Sequence, residues 1–204
     1  MHAAIAAGFR SEPHYPVDQA RILWRLDSDN PHRPLLYVSS PARPDFTHIT
    51  EQAGWPTLPN GWRCLPYRPM LDQIRTGATF SFRLVANPVH YGRLEPGAQT
   101  QRYGHVTVLQ QEKWLLDHSA GWGFEITTNS IGENELAVTG RDRLSFQRES
   151  KRVTIATARF EGRLRVVESG AFLRSLLIGM GKAKAYGCGL MTLTPITGHA
   201  KTIG

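Results

Sequence analysis

Between residues 79 and 196 the apolar period switches from two to helical, back to two, to helical and back to two, and few folds accept that order. The stretch "TFSFRLVANP" (79–88) alternates at Phe80, Phe82 and Leu84, the mark of a half-buried strand. "TVLQQEKWLLDHSAGWG" reads as a helix with Thr107 as N-cap and Gln110 at the capping-box position. Its apolar face is drawn from Val108, Leu109, Trp114, Leu115 and Trp122. "FEITT", "ELAVTGRDRLSF", "RVTIATARF" and "RLRVVE" are strand-like, with Glu161-Gly162 predicted as a hairpin turn. A second helix, "SGAFLRSLLIG", starts from Ser169 as cap and carries Phe172, Leu173, Leu176 and Leu177 as its stripe. "LMTLTPI" closes the set as a strand. Strand, helix, strands, helix, strand is the ferredoxin-like βαββαβ unit with an elaborated hairpin.

The first third repeats much of that order. "MHAAIAAGF" is helix-like, "RILWRL" (21–26) and "LLYVSS" (35–40) are strands, and "DFTHITEQAG" is a short helix from Asp45 to Gly54. "GWRCLPY" (61–67) is predicted as an edge strand, which makes this the same unit without its opening strand. The predicted fold class is therefore α+β: tandem ferredoxin-like (RRM-like) domains at residues 1–77 and 78–204. The stretch 89–104 is polar and contains glycine, and is predicted as a loop.

Composition narrows the chemistry. Cys64 and Cys188 are the only cysteines and stand far apart, which argues against a disulfide framework or a zinc site and fits a reducing cytoplasm. No apolar run approaches membrane-spanning length, and "AAIAAGF" lacks the basic flank of a signal peptide. The net charge is +7, and residues 97–204 hold fourteen basic against nine acidic residues, so the excess lies mainly there. Within "RDRLSFQRESKRVTIATARFEGRLR" (141–165) eight basic residues face three acidic ones. Such a run is ordinarily a solvated face. Followed by a basic glycine loop in the same half, it favours a nucleic acid.

That loop, "GMGKAKAYGCG" (179–189), looks like a phosphate cradle, but its order excludes two familiar ones. A P-loop needs Lys-Ser/Thr and a following helix, whereas here Ala183 follows Lys182 and the helix comes before the loop. A dinucleotide fingerprint fails for the same reason. What remains is either turn glycines with no ligand or a site for a nucleic-acid backbone, with Gly179, Gly181, Lys182, Lys184, Gly187 and Gly189 as candidates. Arg141, Arg143, Arg148, Lys151 and Arg152 are candidates for tracking one side of an RNA stem, because the deep major groove of A-form RNA leaves phosphates and shape to be read. No compact His/Asp/Glu cluster has metal-ligand spacing, and no small-molecule cofactor is called for. His14, His48, His90, His105 and His118 are expected to be structural or solvent-exposed.

"ILWRLDSDNPHRPLLYVSSPARPDF", "FSFRLVANPV", "GHVTVLQQEKWLL", "RVTIATARFEGRLRVVE" and above all "LLIGMGKAKAYGCGLMTL" resemble the CasE family of CRISPR-RNA processing endoribonucleases of type I-E systems, in collinear order over nearly the whole chain. The resemblance implies metal-independent cleavage at the base of the CRISPR repeat stem-loop. It also implies retention of the product and membership of the Cascade complex beside its other subunits. The family's stretch of tyrosine, two residues, Met or Leu and then His matches only Met1-His2, so His2 corresponds to the catalytic histidine. The family's tyrosine and the opening strand would precede Met1, and the expectation is a start codon assigned too late or a truncated chain. The competing class is a tandem RNA-binding module without catalysis, although "RVTIATARF" offers Phe160 with no second alternating aromatic. A third is a purely structural subunit.

Overall fold

The computed structural model describes residues 1–9, 20–54, 61–92, 101–148 and 151–196. The alternation at 79–88 becomes β3 (Thr79–Ala86), whose burial strictly alternates. Its buried side, Phe80, Phe82, Leu84 and Ala86, packs on Trp114 and Leu115 of α4 (Val108–Ser119) and on Phe172 and Leu176 of α5 (Ser169–Ile178). Both halves of the Thr107/Gln110 capping box form. The cap of α5 is Glu168 rather than the expected Ser169: its carboxylate accepts from the N–H groups of Gly170 and Ala171, and Ser169 is already helical. The buried stripe of α4 also differs from expectation. Gln111, Trp114 and Leu115 are buried, while Leu109 is 79% exposed, because two residues back from Gln111 is roughly the opposite side of a helix. Gln111 is tolerated inside because its Nε2 donates to the His105 carbonyl at 2.9 Å.

Four strands, β6 (Phe124–Ile126), β8 (Lys151–Val166), β3 and β9 (Met191–Pro195), lie in that order in one antiparallel sheet. In order of appearance they are the second, third, first and fourth strands of the unit, which is the ferredoxin-like arrangement. β7 (Leu136–Arg148) pairs with β8 beyond β6, out to Arg148↔Lys151. The expected hairpin at Glu161-Gly162 does not form, and β8 runs straight through it. Gly162 serves a different purpose. The excursion between β6 and β7 returns there, and a Cβ on Gly162 would stand 2.2 Å from the Glu135 carbonyl oxygen. The stretch expected to be a loop at 89–104 instead holds β4 (Val89–Gly92) paired with β5 (Gln101–Gly104), runs too short for alternation to reveal.

The N-terminal part contains α1 (His2–Ala6), β1 (Leu23–Asp27), β2 (Leu35–Ser39), α2 (Thr47–Ala53) and α3 (Arg68–Leu71). Ile5, Phe9, Trp24 and Phe46 form its own small core, with Leu36, Val38, Ile49 and Trp62 packed against it. β1 and β2 form an antiparallel pair. Residues 61–67 are not a strand. In a ferredoxin-like sheet the last strand pairs only with the opening one, and among the described residues no such strand offers that ladder. Met70, Leu71 and Ile74 already pack on the second core. No described helix is long and apolar enough to cross a membrane.

Candidate functional site

Between β1 with its following turn and the open side of the large sheet lies a cleft of ≈ 890 Å³, lined by Met1, Trp24, Asp29, Arg141, Arg159 and Tyr186 among others. Three features that stand far apart in sequence meet there: the start of α1, the basic hairpin and the glycine loop. His2, the first residue of α1, is exposed beside Met1.

The glycine loop is shaped by packing as much as by backbone freedom. Gly187 has φ 85°, and a Cβ on it would stand 2.8 Å from Cζ3 of Trp24, so the loop can lie on β1 only with glycine there. Gly189 has φ 91° and a prospective Cβ 2.7 Å from the Met180 carbonyl. Several loop N–H groups are already spent: Gly179 donates to Ser175 at 2.9 Å, Gly187 to Lys184 at 3.2 Å and Gly189 to Val85 at 2.8 Å, each to a carbonyl oxygen. That narrows an anion cradle to the turn from Gly181 to Ala185. Lys184 is half-buried, and its Nζ donates to the Gly181 carbonyl at 2.6 Å, bracing the turn from within. Burial, followed by the charges of Arg21 and Lys182, pushes its pKa below the ordinary lysine value. Lys182 is exposed and is the cation of this loop that faces solvent.

Pleating sorts the basic hairpin. Arg141 pairs with Ala158 and Arg143 with Ala156, so these two arginines share one face. Arg141 Nη1 donates to the Val106 carbonyl at 3.2 Å, just ahead of α4. The other face carries Asp142 and Leu144, which line the cleft, and Phe146, whose ring lies 5.0 Å from that of Tyr186. This ring contact ties the hairpin to the glycine loop. Arg148, Lys151 and Arg152 lie where β7 and β8 end and begin, and their side chains fall outside the described set.

The residues that hold the cleft together were missed by sequence reading. Arg25 is 2% exposed; its Nε and Nη2 bind both oxygens of Asp27 at 2.7 and 3.0 Å. Nη1 reaches the carbonyls of Arg83 and Leu190 at 3.0 and 3.2 Å, and Nη2 also donates to Thr192 Oγ1 at 3.0 Å. One side chain thus bolts β1 to β3 and β9. Arg83 adds bonds to Asp27 at 3.0 Å and to Asp29 at 2.8 Å. Burial pushes the Asp27 carboxyl up, but Arg25 and then Arg83 outweigh it and hold it below the usual range. Hydrogen bonds from Arg83 and Arg159 do the same for Asp29. The one signal was in "LWRLD", where a charged pair spaced by two shares a face of an otherwise apolar strand.

Among the described residues no three His, Cys, Asp or Glu side chains gather to hold a metal. His48 Nε2 bonds the Ala4 carbonyl and His118 Nδ1 the Trp114 carbonyl, both at 2.7 Å, which are structural roles. His90 packs against His105 with ring centroids 4.7 Å apart and the rings tilted by 39°. His14 lies outside the described residues.

A family model described as CRISPR associated protein matches residues 1–195. The CRISPR-associated endoribonuclease Cse3 of Thermus thermophilus is 28% identical over 182 residues, covering 86% of this chain and 80% of that protein. The CRISPR system Cascade subunit CasE of Escherichia coli is 25% identical over 185 residues, 85% of this chain and 89% of that protein. A solved structure of CRISPR endoribonuclease Cse3 bound to a 19 nt RNA matches with a TM-score of 0.74 at 25% identity, covering 96% of this chain and 89% of that one.

Proposed function

The chain belongs to the CRISPR associated protein family, and from that membership we propose that it is a CRISPR-RNA processing endoribonuclease. It binds the repeat stem-loop, cuts at the stem base, keeps the product and works in the cytoplasm as a Cascade subunit. The observation that carries this reading is the meeting of Met1, Arg141, Tyr186 and Gly187 around one cleft, which supports a single RNA site at the start of α1, the basic hairpin and the glycine loop, with the exposed His2 next to Met1 as the candidate catalytic group. The names and the RNA complex of the relatives support it. Two hydrophobic cores support two units, although Met70, Leu71 and Ile74 of the proposed 1–77 unit pack on the core of the second.

The chemistry needs little. A ribose 2′-oxygen attacks the adjacent phosphorus, the O2′–P bond forms as the P–O5′ bond breaks, and a 2′,3′-cyclic phosphate and a 5′-hydroxyl result. One group must take the 2′-hydroxyl proton and another must give a proton to the leaving 5′-oxygen. Histidine can take or give a proton in such a step, and His2 is the candidate. Lys182 and the N–H groups of its turn that have no partner among the described residues supply positive potential for the backbone at the cleft, while Arg141 and Arg143 offer theirs on the other face of the hairpin, whose end carries Arg148, Lys151 and Arg152 as further candidates.

Single-turnover cleavage of a repeat stem-loop in EDTA tests this. Native RNA is cut, RNA with a 2′-deoxy at the scissile nucleotide is not, and His2→Ala slows cutting by about 10²–10⁴-fold. Equal cutting by His2→Ala removes His2 from the mechanism. Binding without cleavage is the second reading. Tight binding of native RNA with no product identifies it.

A further inference from the structure

Asp29 stands on the turn between β1 and β2, and two guanidinium groups converge on its carboxylate. Arg83 Nη1 lies 2.8 Å from Oδ2, and Arg159 Nη1 binds Oδ1. Two arginines on one planar oxyanion is an arrangement that equally suits a phosphate. The two arginines differ in what each retains when the carboxylate leaves. Arg83 keeps Asp27 at 3.0 Å and Glu161 at 2.8 Å. Arg159 keeps the neutral Thr139, through Oγ1 at 3.0 Å and the carbonyl at 3.3 Å, and Glu161 only at 3.8 Å from Nε. Its Nη1 would be left without an anion among the described residues, in the wall of the cleft that also holds Met1 and Tyr186.

The Asp29–Arg159 contact is also replaceable. Asp29 is 47% exposed and Arg159 27%, and an ion pair at such a surface contributes about 0–1 kcal/mol. A backbone phosphodiester likewise offers two anionic oxygens that a guanidinium can bind. We propose that Asp29 is an internal stand-in for phosphate: in the RNA-free protein it occupies a phosphate subsite whose positive wall is Arg159, and an RNA backbone phosphate displaces it. The inference rests on the RNA-processing reading and deepens it by naming a subsite and what blocks it.

The test measures the affinity of a repeat stem-loop carrying the 2′-deoxy scissile nucleotide for the wild type, Asp29→Ala, Arg159→Ala and the double variant. Asp29→Ala binds up to about 5-fold tighter, the equivalent of about 1 kcal/mol. Arg159→Ala binds more weakly than wild type, and the double variant matches Arg159→Ala. A gain that survives in the Arg159→Ala background is a general charge effect and overturns the proposal. So does an Asp29→Ala variant that binds as wild type does or more weakly. Inorganic phosphate is the second probe and does not depend on RNA. It raises the melting temperature of Asp29→Ala but not of wild type or the double variant. If the wild type binds no stem-loop, the functional reading fails, and the phosphate comparison alone decides the subsite: no shift in Asp29→Ala overturns it.

Discussion

Replacing Arg25 by alanine removes the most heavily bonded side chain between the two parts of the molecule. Arg25 is 2% exposed, so the substitution strands its partners away from water. The carbonyls of Arg83 and Leu190 lose a donor, and Asp27, 8% exposed, loses two of its three charge-assisted bonds. Removing one member of a buried ion pair costs about 3–5 kcal/mol. Arg83 still reaches Asp27 at 3.0 Å, which places the expected loss at the low end, about 3 kcal/mol. For a chain of 204 residues that corresponds to a melting temperature lower by roughly 6–12 °C. Denaturant titration and calorimetry of Arg25→Ala, Asp27→Ala and the double variant measure it. The double variant is expected to lose less than the sum of the singles, because a stranded charge is absent once both are gone. Arg25→Met with Asp27→Leu should recover part of the loss. A loss under about 1 kcal/mol for Arg25→Ala, or strict additivity, would refute the claim that this pair joins β1 to the large sheet.

Gly187→Ala places a methyl 2.8 Å from the Trp24 ring at a φ of 85° and should cost roughly 2 kcal/mol, read by denaturation and by a change in tryptophan emission. Asp27 titrates below its unfolded value of about 3.9, so its contribution is present above that pH and is lost as pH falls through the lower folded value. Asp27→Asn should flatten the acid limb of the stability profile below about pH 4, and an unchanged limb would contradict the pairing. Cys188 is buried, and burial pushes its thiol up to about 12, whereas Cys64 is exposed. A thiol reagent should therefore modify Cys64 alone in the native protein and both cysteines after denaturation.

Local periodicity carried a large part of the fold. The alternation at Phe80, Phe82 and Leu84, the Thr107/Gln110 box and the stripe at Phe172 and Leu176 each reflect which side of one element is buried, and a short window of residues is enough to encode that. The order of those elements then admitted the ferredoxin-like sheet. The glycine pattern and the family resemblance named residues of the glycine loop and the basic hairpin as candidates, and Arg141 and Gly187 among them line one cleft with Met1.

Partnership between distant segments was not legible. Asp27, two residues on, hints that Arg25 is paired, but its carbonyl acceptors lie 58 and 165 residues away, and nothing near it in the chain says which they are. The pleat separated Arg141 and Arg143 from Asp142 and Leu144 only once the register with β8 was set. The N–H groups of Gly179, Gly187 and Gly189 were withdrawn from ligand duty by carbonyls at Ser175, Lys184 and Val85, and Lys184 turned inward to Gly181. The sequence alone determined which elements form, their order, and the basic, glycine-rich character of the site, because propensity, capping and burial period act over a few residues. The tertiary structure alone decided which charges stay available to a ligand, because hydrogen-bond partners are allotted by register and packing between segments that meet only when the chain has folded.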